Sequence, residues 1–224
     1  MKILVSGGTG FVGQAVTEQL VALGHEVHTI GRNPTSIDDG VKNQTHHTLD
    51  LTKDDLPKSL LQDTEIFFHI AAKAGIWGPY SEFFNANVIA TRKILKACQY
   101  YRIPKLIYTS TPSVVFSEKP IQNGTEALPY GKNEFSPYAQ TKSMAEQEVL
   151  EAHLPGKLQT IALRPHLVWG KGDPHLLPRV IQRHKAGKLK IIGDGMNQVD
   201  LTHIDNVAHA HICAMKAMLL NQNL

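Results

Sequence analysis

Lys2-Ile3-Leu4-Val5-Ser6-Gly7-Gly8-Thr9-Gly10-Phe11-Val12-Gly13 opens the chain with a short apolar run that ends in glycines and passes straight into residues at helical spacing. The apolar run reads as a strand, and residues 11–23, closed by Gly24, read as a helix. Between them Gly7, Gly10 and Gly13 allow a tight turn and remove the side chains that would hold a pyrophosphate away from the helix N-terminus. A glycine-rich turn alone says little. Its place between the first strand and the first helix is what makes it a phosphate loop, with Phe11 and Val12 adding backbone amides.

Working outward, the same alternation repeats. Strands are expected at residues 25–30, 45–49, 65–70, 105–110 and 159–163, and helices at 52–61, 80–101 and 137–152. A polar stretch at 31–40 follows the second strand. Strands regularly separated by helices require right-handed crossovers, which gives an α/β fold with a doubly wound parallel sheet, the Rossmann fold. Residues 1–164 form the dinucleotide-binding domain in this reading. After Arg164 the pattern breaks at Pro165, Gly170, Gly172, Pro174 and Pro178. Residues 165–224 therefore read as a small annex over the carboxyl edge of the sheet, interleaved with the last Rossmann elements, with helices at 177–186 and 205–218 and a strand at 189–192.

The totals narrow the function classes. At 224 residues with 42% hydrophobic and 19% charged residues, the chain is expected to be an ordinary globular protein with one main core. A formal net charge of +3 of mixed sign leaves no basic stripe, so nucleic acid is not expected as a partner. None of the twelve His residues has metal-ligand spacing, so no metal site is expected, and His46-His47 belong in or beside a strand. Cys98 and Cys213 each fall in an apolar helical pattern and read as small core residues of a protein in a reducing compartment. Neither a signal peptide nor a membrane span is legible, and the cytoplasm is the expected location.

The end of the second strand bears on the cofactor. An acidic residue about 20 positions beyond the glycines would bind a ribose 2′-hydroxyl. Gly31-Arg32-Asn33 stands there instead, and a guanidinium pairs with a 2′-phosphate, so NADP is preferred over NAD. Asp50, with Leu51 beside it, is placed to reach the adenine edge or to cap the next helix. Tyr138 and Lys142 lie one turn apart on a helix that Ser136 caps and Pro137 begins. A phenol is a poor acid–base group near neutral pH unless a cation stabilises its anion, which is the service Lys142 offers. The end of the fifth strand supplies hydroxyls at Ser110, Thr111 and Ser113, of which Thr111 is favoured to orient a substrate oxygen.

Together these features resemble the extended short-chain dehydrogenase/reductase superfamily, which includes the NAD-dependent epimerases and dehydratases. The resemblance adds His69-Ile70-Ala71-Ala72, Asn87, Leu163-Arg164-Pro165 and the segment 200–208 to the matching residues. The segments 71–78, 108–115 and 193–195 are most similar to its 3β-hydroxysteroid dehydrogenase and sterol-4-carboxylate dehydrogenase branch. The resemblance implies cofactor contacts from Ala71, Ala72, Lys73, Asn87 and Pro165, together with Tyr138 and Lys142. It also implies a small apolar carbonyl or alcohol substrate, of 2-alkyl-3-oxo acid or 3β-hydroxysteroid type, and a homodimer built from the two long helices. Two departures stand out: the family usually has Ser where Thr111 aligns, and it usually continues into a further strand and a substrate-binding region. The annex is accordingly expected to be partial, truncated or completed by a partner chain.

Three readings remain open at this point. The first is a reductase or dehydrogenase acting on a 3-oxo or 3-hydroxy group, with Ile76, Trp77 and Phe83 either touching an apolar substrate or packing as core. The second is a nucleotide-sugar epimerase or dehydratase, disfavoured by Gly31-Arg32. The third is a cofactor-binding regulatory module without turnover.

Overall fold

Ile3, Leu4 and Val5 of β1 (Lys2–Ser6) are fully buried, and they divide between two cores because successive strand residues point to opposite faces. The computed structural model describes residues 1–33, 42–75, 77–117, 120–132, 136–174, 176–191 and 193–220. Flanking β1 are β2 (Glu26–Gly31) and β4 (Ile66–His69), and β3 (Gln44–Thr48), β5 (Lys105–Thr109) and β6 (Gln159–Leu163) complete a parallel sheet of order β3-β2-β1-β4-β5-β6. This is the doubly wound Rossmann arrangement the alternation predicts. The strand order reverses direction between β1 and β4, so their carboxyl ends open the crevice in which such sheets hold ligands.

On one face, Leu4, Phe67, Leu106 and Tyr108 meet α2 (Lys58–Leu61), α4 (Ala90–Tyr101) and α5 (Pro137–Glu151). On the other, Ile3, Val5, Ile66, Phe68 and Ile107 meet α1 (Phe11–Ala22) and α7 (Ile204–Leu220). Strands buried on both faces explain why β1, β4 and β5 are continuous apolar runs rather than alternating ones. The chain's last described helix thus returns to the first, with Ala208, Ile212, Met215 and Met218 in the same core as Val16 and Leu20.

Several expectations are corrected. The helix expected at 52–61 shrinks to α2, because the Asp50 carboxylate takes the Thr52 amide at 2.9 Å and its hydroxyl at 2.7 Å, holding a turn, and Pro57 at the cap disfavours helix before it. The helix expected at 80–101 is borne out as one continuous run, α3 (Tyr80–Phe83) passing through a π-helical turn Phe84–Ile89 into α4. Cys98 is buried as expected, but Cys213 lies on the exposed face of α7. Residues 189–191 form no strand and are exposed; the small sheet of the annex pairs β7 (Val168–Trp169) with β8 (Thr202–His203) instead. The annex helix α6 (Leu176–Lys185), capped by the Asp173 carboxylate at the Leu176 and Leu177 amides, buries none of its residues. Residues 34–41 of the polar stretch lie outside the described residues. No described helix is long and apolar enough to cross a membrane.

Phe67 is fully buried at the centre of the sheet. Phe67→Ala is expected to cost about 3–5 kcal/mol through the cavity it leaves. Urea unfolding midpoints read this, and a loss below about 1 kcal/mol would show that the core closes over the gap.

Candidate active site

The turn from β1 into α1 is closed by backbone contact. Gly10 N–H donates to the Gly7 carbonyl at 2.9 Å, and a Cβ on Gly13 would stand 2.0 Å from that same oxygen. Gly7 adopts φ +71°, and a Cβ there would meet the Ala71 backbone at 2.8 Å, so its bareness lets the loop after β4 approach β1. No side chain caps α1, and its first turn holds no acidic residue. The amides of Phe11, Val12 and Gly13 are therefore presented to an anion.

Arg32 is exposed at the end of β2, and the following backbone is fixed where His46 Nε2 donates to the Asn33 carbonyl at 3.0 Å. His46 lies in β3, with its other ring nitrogen bonded to the Thr29 hydroxyl at 2.9 Å. The Asp50 carboxyl is held below its ordinary value, chiefly by the hydrogen bond from the Thr52 hydroxyl. Asp50 caps a turn rather than a helix, and Leu51 beside it is core.

The loop after β4 is clamped from both ends. Asn87 accepts the Lys73 amide at 2.7 Å and donates to the Lys73 carbonyl at 3.1 Å and to Thr141 Oγ1 at 3.0 Å. Asn87 reaches this position on the π-helical turn, a distortion frequent at functional sites. At the other end, Ser6 Oγ accepts the Ile70 and Ala71 amides, both at 3.2 Å, and donates to His69 Nδ1 at 2.7 Å. His69 Nε2 donates to Thr91 Oγ1 at 2.8 Å, which donates to the Asn87 carbonyl at 2.6 Å. Burial pushes His69 down to about 3, so it works as a neutral link of fixed tautomer. Ala72 is exposed, and Lys73 pairs with Glu82 at 2.6 Å.

Ser136 accepts the Ala139 amide and Pro137 begins α5, as the sequence predicts. Tyr138, one turn before Lys142, is raised by burial above its ordinary value, with the Thr111 hydroxyl partly offsetting the rise through a hydrogen bond. Lys142 is fully buried; its Nζ donates to the Thr109 carbonyl at 2.7 Å and lies 4.0 Å above the Tyr108 ring centroid. Burial pushes the ammonium down to about 7, while Glu146 pulls it up. Burial thus acts on both groups, and the Lys142 ammonium is bonded to the Thr109 carbonyl.

Of the three candidate hydroxyls, Thr111 is the one beside Tyr138, and it also accepts the Ser113 amide at 3.3 Å. The Ser110 hydroxyl is buried without a partner at hydrogen-bonding geometry, yet it lies near enough to Glu146 to stabilise that carboxylate. Pro165 follows Arg164, whose Nε donates to both Glu146 oxygens at 3.0 and 3.1 Å. Phe83 is core and Trp77 is 87% exposed; Ile76 lies outside the described residues.

The 3-beta hydroxysteroid dehydrogenase/isomerase family model matches residues 4–223, nearly the whole chain. The chain belongs to that family. Among curated members of like sequence, the 2-alkyl-3-oxoalkanoate reductase of Stenotrophomonas maltophilia is 43% identical over 225 aligned positions, covering 97% of this chain and 66% of the relative. The Homo sapiens sterol-4-alpha-carboxylate 3-dehydrogenase, decarboxylating, is 38% identical, covering 100% of this chain and 60% of the relative. This family member thus spans less than two thirds of either relative's length. Among solved structures, the Bacillus cereus UDP-glucuronic acid 4-epimerase in complex with NAD superposes with a TM-score of 0.81 at 28% identity, over 96% of this chain and 74% of that one.

The sequence reading of this family member missed Glu146, Tyr130, Thr91 and His211. Glu146 was findable, since it continues the four-residue spacing of Tyr138 and Lys142. Thr109, whose hydroxyl bonds to His211 Nε2 at 2.7 Å, carries no local signal, because the two stand 102 positions apart.

Gly13→Ala is expected to force the turn open, lowering the melting temperature and abolishing nicotinamide-dinucleotide binding in a fluorescence titration; unchanged binding would show that the turn yields freely. Lys142 titrates in the fold at about 7, against near 10.4 in an unfolded chain. Across that window the unfolded state binds more protons, so stability rises with pH as the penalty of a buried charge is relieved. Urea midpoints measured from neutral to alkaline pH are expected to rise more steeply in the wild type than in Lys142→Met, and parallel curves would disprove the depressed value.

Proposed function

We propose that this chain carries an NADP-dependent oxidoreductase site that interconverts a 3-oxo and a 3-hydroxy group on an apolar substrate. The observation that carries the reading is Lys142, an ammonium buried without a direct carboxylate partner among the described residues, one turn from the buried phenol of Tyr138. A buried, perturbed lysine at the open edge of a parallel sheet is costly for stability and is retained where chemistry needs it.

The uncapped first turn of α1 fits a pyrophosphate, since a Cβ at Gly13 or Gly7 would fill the cradle. The exposed Arg32 fits a ribose 2′-phosphate, and the clamped backbone 71–73 would wall the opposite side. A reduced nicotinamide, when bound, supplies the hydride to the carbonyl carbon. Thr111 orients the substrate carbonyl oxygen and Tyr138 O–H donates the proton to it. Lys142 stabilises the phenolate left on Tyr138 until a solvent proton replaces it. In the dehydrogenase direction the same groups act in reverse. The substrate class rests on the two curated relatives, named for a 2-alkyl-3-oxoalkanoate and a sterol 4α-carboxylate.

The epimerase among the structural neighbours favours a second reading, in which the same Tyr138 and Lys142 serve a nucleotide sugar. The absence of an acidic residue at Gly31-Arg32-Asn33 weighs against it.

Purified protein is to be titrated with NADPH and NADH, and cofactor oxidation followed with a 2-alkyl-3-oxo acid, a 3-oxosteroid and, as the competing case, a UDP-hexose. Tighter NADPH binding and turnover of an oxo acid or oxosteroid are expected, with Tyr138→Phe lowering kcat about 10²–10⁴-fold. Preference for NADH would overturn the role of Arg32. Conversion of the sugar alone, or Tyr138→Phe turning over as the wild type does, would overturn the reaction.

A further inference from the structure

Tyr138, Lys142 and Glu146 follow one another at four-residue intervals along one face of α5. The Glu146 side chain is wholly buried, and two other segments of the chain converge on it. Arg164, just past β6, donates from Nε to both carboxylate oxygens, and Tyr130, from the segment before α5, donates its hydroxyl at 2.9 Å. No step of the proposed reaction touches this carboxylate. A buried ion pair is weak evidence of stabilisation, because removing two charges from water offsets most of their attraction, so its retention beside Lys142 calls for another account.

Lys142 is bonded to the Thr109 carbonyl and packed on the Tyr108 ring, neither of which neutralises an ammonium. The titratable and charged groups that face it among the described residues are Tyr138 and Glu146 on its own helix, Tyr108 on β5 and His69 on β4. Arg164 and Tyr130 stand behind Glu146, and the Arg92–Glu148 pair lies at the partly exposed surface between α4 and α5. Tyr108 is pushed up by burial and His69 is pushed down by burial, so both stay neutral. Glu146 is the buried anion of the set.

We infer that Glu146, fixed in place by Arg164 and Tyr130, is the positioning residue that keeps Lys142 charged beside Tyr138. The inference rests on the reading of Tyr138 and Lys142 as a proton-transfer pair. The electrostatics agree with it. Burial pushes the Glu146 carboxyl up, but the hydrogen bonds of Arg164 and Tyr130, with the nearby Ser110 hydroxyl, outweigh it and leave the group below its ordinary value. Burial, with the Glu146 bond, pushes Tyr130 up to about 12, so it remains a donor throughout the working range. Arg164 thus takes up the negative charge enough to keep it ionised, and Glu146 in turn offsets the desolvation of Lys142.

Glu146→Gln keeps the shape of the side chain and removes its charge. The test is the pH dependence of urea midpoints, which reads the charge of Lys142 without turnover, together with the alkaline limb of kcat. In Glu146→Gln the rise of stability with pH is expected to begin about one pH unit lower or more, and the alkaline limb of kcat to move down with it, with little change in the cofactor KM. The double variant Glu146→Gln/Arg164→Met removes the unpaired guanidinium that the single change leaves behind. A merely structural pair would regain the wild-type profile in the double variant, and that result, or an unshifted profile in the single variant, overturns the inference. A shift that persists in the double variant supports it, also where the single variant fails to fold. Absence of reductase turnover would sink the proposed reaction and leave the stability profile to decide Glu146.

Discussion

Thr109, the last residue of β5, joins the two layers of the molecule. Its carbonyl receives the Lys142 ammonium from α5 on one face, and its hydroxyl bonds to His211 of α7 on the other. His211 donates from Nδ1 to the Val207 carbonyl at 2.7 Å, so its Nε2 is the acceptor and Thr109 the donor. Burial keeps His211 below its ordinary value, and the ring is neutral in this role. A strand end that is polar on both sides cannot slide without leaving an ammonium, a carbonyl and an imidazole unpaired in the interior, each a cost of about 1–3 kcal/mol or more. The position of Lys142 is therefore tied to the register of the sheet and to the final helix, and not only to the helix that carries it.

The loop after β4 is fixed by the same kind of argument. The bonds through Ser6, His69, Thr91 and Asn87 form a chain in which each hydroxyl has one proton to give, and the amides of Ile70 and Ala71 decide the direction. Because Ser6 already accepts two amides, its proton goes to His69, which leaves Nε2–H for Thr91. The chain ends on the π-helical turn, where the Asn87 carbonyl accepts the Thr91 hydroxyl and the Asn87 side chain accepts the Lys73 amide. Thus the wall of the crevice and the π-helical turn behind it are joined through Asn87.

What could be read from the sequence was what depends on neighbours along the chain. The apolar runs of β1, β4 and β5, the glycines that admit close backbone approach, and the Ser136–Pro137 start of α5 are local statements, and the structure has them in place. The misreadings arise where a local pattern competes with something else. Residues 52–57 have helical spacing, but the Asp50 side chain captured the backbone first and Pro57 fixed the boundary. Cys213 sits among apolar residues, yet α7 buries only one face, and the cysteine falls on the other. The pairing of β7 with β8, two residues each, and of Thr109 with His211 arises from tertiary placement and leaves no mark in either segment.

Burial alone would disarm the proton-transfer pair. It raises the phenol of Tyr138 and lowers the ammonium of Lys142, so each moves toward its neutral form and away from the charged states that let a lysine stabilise a phenolate. Two features of this chain oppose that drift: the Thr111 hydroxyl, which pulls the phenol down, and Glu146, which pulls the lysine up. Both are anchored by groups outside the pair, Thr111 by the turn it caps at Pro112–Val115 and Glu146 by Arg164 from the end of β6. The charge state at the site is consequently a property of the sheet's carboxyl edge as a whole, assembled from α5, β5 and the segment after β6, and a change in the last of these should reach the pair by way of Glu146, through electrostatics rather than through contact.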